Sequence, residues 1–524
     1  MKWIRQQWFS LTSGLFCFAW AFLGWLTVIP NQDILADGIQ AQSVLADPRI
    51  VLAFPGQKHG GPLEYPATLL AEWLSPGNYF ANAAVRPLLA FVTGFVVARL
   101  FLALFPNAAR WAFLAAVAVG PTILHGLLGP AGNTVGVWWL QPNWDMAWLL
   151  VTAGALVLAS VLQAPSPGPA LKRWPGWPLA AGLLLGLGFY AHPAICLLLV
   201  PLVALVLLRS RWSLSTVLLT AVGGALGALP AAISYVVNAG INTWDPSHGA
   251  FIAAGYYRTM GASVLGLEGI PDYMTALLPY GFGLAPSTDA GVGRLQSVLM
   301  WVLVLVIIAT AVVGLVRALR TRTRPSIATA VALAWVVAMI TMFGFITFID
   351  PVWIYSSGLG ILLWLSVGAL PEVFRTRWIG SALAAAAIAV MAVSTIAHNA
   401  SFYSNIPERF HAKVDAMTSE QALADALVEA GAGYVFGSYY DVIPLGYASG
   451  MRLRTITNRY NRFPLTTAEL AGAELIVATR TDPTDDWGRE SLAVVSTQCK
   501  ELPGKGAGSY QLFSCPPKAL VFNK

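Results

Sequence analysis

The sequence predicts an α-helical membrane protein of about eleven spans, with a small extracytoplasmic α/β domain at its C-terminal end. Three observations lead there. Of 524 residues, 57% are hydrophobic and only 11% charged, with a mean hydropathy of +0.65, whereas soluble domains carry about 25% charged residues. Apolar runs long enough to cross a ~30 Å hydrocarbon core recur through residues 1–397. Residues 398–524 then switch to helical periodicity alternating with short apolar strand patterns.

The candidate spans fall at 9–29, 86–105, 111–128, 145–163, 177–191, 194–208, 214–237, 295–316, 327–348, 354–370 and 379–397. The two around His192-Pro193 are short, and reading them as one bent span would break the parity. Lys and Arg in short loops set orientation. With eleven spans, Lys2 and Arg5, Arg110, Lys172-Arg173, Arg209 and Arg211, the run "RALRTRTR" (317–324), and Arg375 with Arg377 all fall on one side. The N-terminus is therefore expected inside and the C-terminus outside. The first span is longer and richer in Trp than a signal-peptide core and no small-residue cleavage site follows, so it reads as retained. The net charge of +6 is topological, since the basic residues form no single patch, and this argues against a nucleic-acid partner.

On this topology, residues 1–397 form the membrane domain with outer loops 30–85 and 238–293, and 398–524 the outer domain. In the tail, "TSEQALADALVEAGAGYVFGSYYD" predicts a capped helix from Ser419 to Ala430 followed by an aromatic strand, and "AELIVATRT" a second buried strand. Cys499 and Cys515 lie in this domain, where an oxidising exterior would let them pair and contribute about 3 kcal/mol. Cys17 and Cys196 sit in apolar spans as inert thiols, and nothing has zinc-ligand spacing.

Transporters mark their pathway with ionisable residues near the bilayer midplane. Here the span interiors hold almost no charge, and polar groups gather in the outer loops. That distribution favours chemistry at the outer surface. The first loop begins "VIPNQDILADGIQAQSVLADP", with Asp33, Asp37 and Asp47. Asp37 follows Asp33 by one helical turn and can share its face; a purely structural reading makes Asn31 or Asp33 a helix cap. The segment "LAFPGQKHGGPLEYPATLLAEWLSPGNY" then brings Gln57, Lys58, His59 and Glu64 together in a turn-rich stretch. Its "LEYPATLLAEWL" predicts an interfacial amphipathic helix, whose N-terminal dipole Glu64 would favour. The second loop offers Tyr256, Tyr257 and Arg258 in "GYYRTMG". "VWWLQPNWDMAW" (137–148) sets Asp145 among tryptophans typical of an interface. Arg294 reads either as a phosphate ligand or as a span-end snorkel. Tyr439, Tyr440 and Asp441 form an aromatic-acid cluster suited to carbohydrate or to a strand edge.

These residues resemble the C-type glycosyltransferases, the superfamily of protein O-mannosyltransferases and aminoarabinose transferases. One bacterial branch reads Asp-Glu after span one, then Gly-Gln-aromatic-x-Gly-x-Leu-Glu. Asp33 takes the place of that Asp, and Gly56, Gln57, Gly60, Leu63 and Glu64 take the later positions with one residue added. "GLGFYAHPAICLLLVPLVALVLL", "GGALGALPAAISYVVNAG" and "YVFGSYYDVIPLGYASGMRLRTITNRYNRFP" are similar to further segments of the branch. Ile34 stands where the branch has Glu, and "DPVWIYSS" lacks the Arg that often opens its late span.

The resemblance implies an inverting transferase in the bacterial plasma membrane. It would move a sugar from a polyprenyl-phosphate carrier to a glycan, lipid or protein acceptor on the extracytoplasmic face. A carboxylate must take the acceptor's proton, and a lipid phosphate leaves without protonation, so the paired acids of glycosidases are not required. Asp33 is the first choice for the base and Asp37 the second. Arg258, Lys58, His59 and Arg294 are the candidate cations for the donor phosphate. Gln57, Glu64, Tyr65, Asp145, Tyr256 and Tyr257 are candidates for sugar or acceptor contacts. Oxygens of Asp33, Asp37 and Asp145 could serve Mg²⁺, although the spacing requires no metal. Three other readings compete: a non-enzymatic transporter or flippase of lipid-linked glycans, an envelope glycan polymerase or ligase of the same topology, and a scaffold for an envelope complex.

Overall fold

The structure, a computed structural model, describes residues 2–30, 32–48, 50–52, 61–82, 84–119, 142–163, 176–192, 195–210, 212–237, 278, 282, 290–346, 358–374, 376–458, 463, 467–472 and 474–520. It divides into two compact units, one of Met1–Gly24, Arg86–Ala232 and Tyr257–Asn405, the other of Trp25–Val85, Ile233–Tyr256 and Ile406–Lys524.

The chain opens with α1 (Lys2–Thr27), α2 (Gln32–Ala46), α3 (Tyr65–Leu74), α4 (Arg86–Leu104) and α5 (Arg110–Val119). There follow α6 (Pro142–Gln163), α7 (Gly176–Ala191), α8 (Cys196–Arg209), α9 (Leu214–Val237), α10 (Ala290–Thr321), α11 (Ile327–Ile346), α12 (Leu359–Val373) and α13 (Arg377–Ser404). Among the described residues, six helices are long and apolar enough to cross a membrane: Gln7–Thr27, Arg86–Leu104, Trp144–Leu162, Leu214–Ser234, Gly293–Thr321 and Arg377–Ile396. The other five expected spans hold shorter apolar helices. The chain is a multi-pass membrane protein.

Within the first unit, α7 and α9 meet backbone to backbone. A Cβ on Gly182 would lie 2.0 Å from the Thr220 carbonyl oxygen, and one on Gly227 2.3 Å from that of Leu183. Only glycine allows that approach, which is how apolar helices gain dispersion energy where lipid supplies no hydrophobic drive. The outward faces of α9 and α10 stay apolar, with Leu218, Val222, Leu226, Leu305, Val306 and Val313 exposed as lipid-facing positions.

The second unit is built on a five-stranded sheet of order β2-β1-β3-β5-β4. After α14 (Ile406–Glu429) come β1 (Tyr434–Gly437), α15 (Tyr439–Ala448), β2 (Arg454–Thr457), α16 (Thr467–Leu470), β3 (Leu475–Arg480), α17 (Asp486–Gln498), β4 (Lys500–Ala507) and β5 (Tyr510–Cys515). β1 runs parallel to β2 and β3, while β3, β5 and β4 are antiparallel. A disulfide joins Cys499 to Cys515 at the open end of the β4–β5 hairpin. The helix expected to start at Ser419 instead runs from Ile406, leaving Ser419 in its middle. Pro407 sits in its first turn, where its missing N–H has no bond to lose, so the helical pattern begins there rather than at the serine.

The first loop belongs to this unit's core. Leu35, Ala36 and Ile39 of α2, with Tyr79, share one buried cluster with Val435, Tyr439, Val442, Ile443, Tyr447 and Leu512. Lys413 of α14 closes the arrangement: its buried ammonium donates to the Trp25 carbonyl (2.6 Å) and lies 4.4 Å from the Phe80 ring centre. Burial pushes its pKa down to about 7.

Candidate functional site

Helix α2 carries the acids. Asp33 lies in its first turn, where the helix dipole favours a carboxylate, and Asp37 one turn later. Both are buried, at 5% and 2% exposure, so neither serves to keep the loop wet. The helix is held tightly against its surroundings. A Cβ on Gly38 would meet the Tyr447 ring at 2.4 Å and Asn82 Nδ2 at 2.6 Å, and Asn82 Nδ2 donates to the Ile34 carbonyl (3.0 Å). The Tyr439 hydroxyl, from the first residue of α15, donates to Asp33 Oδ1 at 2.7 Å. A carboxylate fixed by such a charge-assisted bond is oriented as well as buried.

One layer deeper, Glu72 of α3 joins three elements. The Tyr447 hydroxyl donates to its Oε1 (2.7 Å) and also lies 2.9 Å from the Asn78 carbonyl oxygen, and Gln42 Nε2 donates to its Oε2 (2.9 Å). Burial raises the Glu72 carboxyl to about 7, against the opposing bonds from Gln42, Tyr447 and the Gly77 backbone. The opposite face of α3 exposes Leu70, Trp73 and Leu74, at helical spacing, as an interfacial helix requires.

The first unit holds a separate polar cluster where α4 and α6 begin. Arg86 Nε donates to Asp145 Oδ2 at 2.8 Å, with both side chains at 5% exposure or less. Arg86 Nη1 and Nη2 are buried and have no hydrogen-bond partner among the described residues. Trp144 stacks on His192 at 3.7 Å, and Trp148 packs at Gly358, where a Cβ would lie 3.2 Å from Trp148 Nε1. Each unpaired donor of a buried guanidinium is costly, and the Asp145 carboxylate offsets only part of the cost of burying this one.

No protein-family model and no curated protein matches the sequence. Among solved structures, the chain is similar to ArnT from Cupriavidus metallidurans bound to undecaprenyl phosphate. The identity is 12% and the TM-score 0.50, over 95% of this chain and 97% of that one. The fold is similar to that of ArnT. Other similar structures are the same ArnT in its apo state (13% identity, TM-score 0.47, 97% and 99% covered) and the oligosaccharyltransferase of Archaeoglobus fulgidus (13%, 0.41, 91% and 69%). The likeness to C-type enzymes read from the sequence thus holds for the fold.

On this ArnT fold, the predicted residues fall in different places. Asp33, Asp37, Glu64 and Tyr65 are buried in the second unit, while Asp47 is exposed. Asp145 belongs to the first unit and is buried and paired with Arg86. Arg294 is exposed near the start of α10. Gln57, Lys58, His59, Tyr256, Tyr257 and Arg258 lie outside the described residues. Among the described residues no three His, Cys, Asp or Glu side chains gather as a metal site. Sequence reasoning gave no role to Arg86, Glu72 or Tyr447. A signal existed for Arg86: an Arg and an Asp open two expected spans at the same bilayer level.

The raised Glu72 carboxyl makes stability fall with pH. Between about 4.5 and 7 the folded state keeps a proton that the unfolded chain releases, so the contribution is full below that window and lost as pH rises through it, by about 3 kcal/mol. Glu72→Gln is expected to flatten this slope in thermal melts taken from pH 4 to 8.

Proposed function

We propose that the chain is a membrane glycosyltransferase that moves a sugar from a polyprenyl-phosphate carrier to an acceptor hydroxyl at the outer face of the plasma membrane. The observation that carries this reading is the buried Asp33, gripped by Tyr439 at 2.7 Å, in a chain with the ArnT fold. The ArnT structure it resembles holds undecaprenyl phosphate, and the topology of eleven spans would put α2 on the side opposite the basic loops.

In the proposed reaction the acceptor oxygen attacks the anomeric carbon with inversion. The bond from that carbon to the phosphate oxygen breaks, its electron pair stays with the departing lipid phosphate, and the acceptor proton passes to Asp33. Tyr439 is a positioning residue that holds the carboxylate's rotamer; Asp37 is the second candidate base. A lipid phosphate is stable as an anion, so a base and a cation suffice. Arg258, Lys58, His59 and Arg294 remain the proposed cations. Gln57, Glu64, Tyr65, Asp145, Tyr256 and Tyr257 are the proposed sugar and acceptor contacts.

The test is transfer by the purified chain in lipid nanodiscs, offered a panel of undecaprenyl-phosphate sugars and a membrane extract as acceptor. At least one donor is expected to release undecaprenyl phosphate together with a glycosylated product. Movement of lipid-linked glycan across the bilayer with no donor cleaved would establish the flippase reading instead.

A further inference from the structure

The proposed reaction leaves the acceptor unnamed, and the sheet of the second unit supplies an argument about it. β1, β2 and β3 are parallel, so their carboxyl ends share one edge. The chain leaves β1 toward β2 on one side, then returns past β1 to β3 on the other. Such a reversal opens a crevice at the carboxyl edge, where open α/β sheets bind their ligands. The residues following β1 at this edge are Ser438, Tyr439, Tyr440 and Asp441, and Tyr439 is the one that grips Asp33. The crevice edge and the proposed base are therefore one hydrogen bond apart.

The side chains there have a consistent character. Tyr440 is 54% exposed and stacks on Trp487, with centroids 6.0 Å apart and planes at 18°. Burial, then the negative charges of Asp33 and Asp485, raises the Tyr440 hydroxyl above its ordinary value, which places that ring in the field of both acids. Asn458, just after β2, donates its Nδ2 to the Trp487 carbonyl (2.6 Å), and its buried Oδ1 accepts no bond from the described residues. Asp441 takes Arg480 Nη1 at 3.0 Å, and Arg480 Nε bonds Asp482 at 2.9 Å. A Cβ on Gly488 would stand 3.2 Å from Asp485 Oδ1 and 3.3 Å from Asp441 Oδ2, so these acids flank one glycine.

We infer that this edge is the acceptor subsite and that it takes a neutral saccharide, with Tyr440 and Trp487 as the platform beneath a sugar ring. The inference rests on the proposed transferase reading for the role of Asp33. The C–H face of a sugar ring carries slight positive charge and is drawn to the negative face of an aromatic ring. Sugar hydroxyls are donors, and Asn458 Oδ1 with the carboxylates are acceptors. Asp441 and Asp482 both bond Arg480, and Asp485 flanks the same glycine as Asp441, so three carboxylates stand with one guanidinium among the described groups of the cluster. An anionic acceptor, such as a phosphorylated lipid headgroup, would be repelled by that balance.

The experiment is saturation-transfer NMR and calorimetry on the full chain in nanodiscs, without donor. The probes are mannotriose, an arabinan trisaccharide and maltotriose, with glucosamine 1-phosphate as the anionic counter-probe. At least one neutral saccharide is expected to bind with a Kd of about 10 mM or tighter. Trp487→Ala and Tyr440→Ala are each expected to weaken it tenfold or more, and Trp487→Phe and Tyr440→Phe to restore most of the affinity. Melting curves that match the parent's exclude a folding defect. Binding of none of the neutral probes, unchanged affinity in both alanine variants, or preference for the phosphate probe each overturns the inference. Because no donor is present, this result can fail while transfer from lipid-linked sugars succeeds, and the reverse.

Discussion

Asp33→Asn is expected to lower the rate of sugar transfer in membranes by about 100-fold or more, because an amide cannot accept the acceptor's proton. The substitution is nearly isosteric, and the Tyr439 hydroxyl can still donate to the remaining carbonyl oxygen at the position it now fills, 2.7 Å away. The fold should therefore survive, and the loss should fall on kcat with the KM for the lipid donor little changed. Asp37→Asn serves as the internal comparison, one helical turn on the same buried helix. Tyr439→Phe should lower kcat less, since it frees the carboxylate to rotate without removing it. Transfer by Asp33→Asn at a rate close to the parent's would remove Asp33 from the role, and a large loss in Asp37→Asn alone would move the role there.

Arg86→Met is expected to destabilise the membrane unit by about 3–5 kcal/mol, since it strands the Asp145 carboxylate in a buried site without its partner. The pair is at 5% exposure or less, so water cannot replace the lost 2.8 Å contact. Asp145→Leu in the same chain should recover most of that stability, because an apolar pair of similar volume carries no desolvation cost. Thermal melts of the detergent-solubilised protein measure both steps.

Six membrane-crossing helices among the described residues were legible because transfer of apolar residues into hydrocarbon is a local property, additive along the chain. The helix Tyr65–Leu74 with its exposed apolar face was legible for the same reason, since Leu70, Trp73 and Leu74 fall on one helical face whatever lies behind them. The acids of the first loop were legible as an anomaly, three carboxylates directly after an apolar run. The helix start at Ser419 was misread because a serine before a helical pattern resembles a cap, while the pattern itself began at Ile406. Periodicity shows which face of an element is buried and is silent about which residues bury it.

The sequence by itself determined that this is a membrane protein with an α/β tail, and that its first loop carries candidate acids. Only the tertiary structure decided what those acids touch. Tyr439 reaches Asp33 across 406 positions, Tyr447 reaches Glu72 across 375, and Arg86 finds Asp145 across 59. Hydrophobic burial acts on each segment separately, whereas a directed hydrogen bond exists only once two distant backbones have been brought into register.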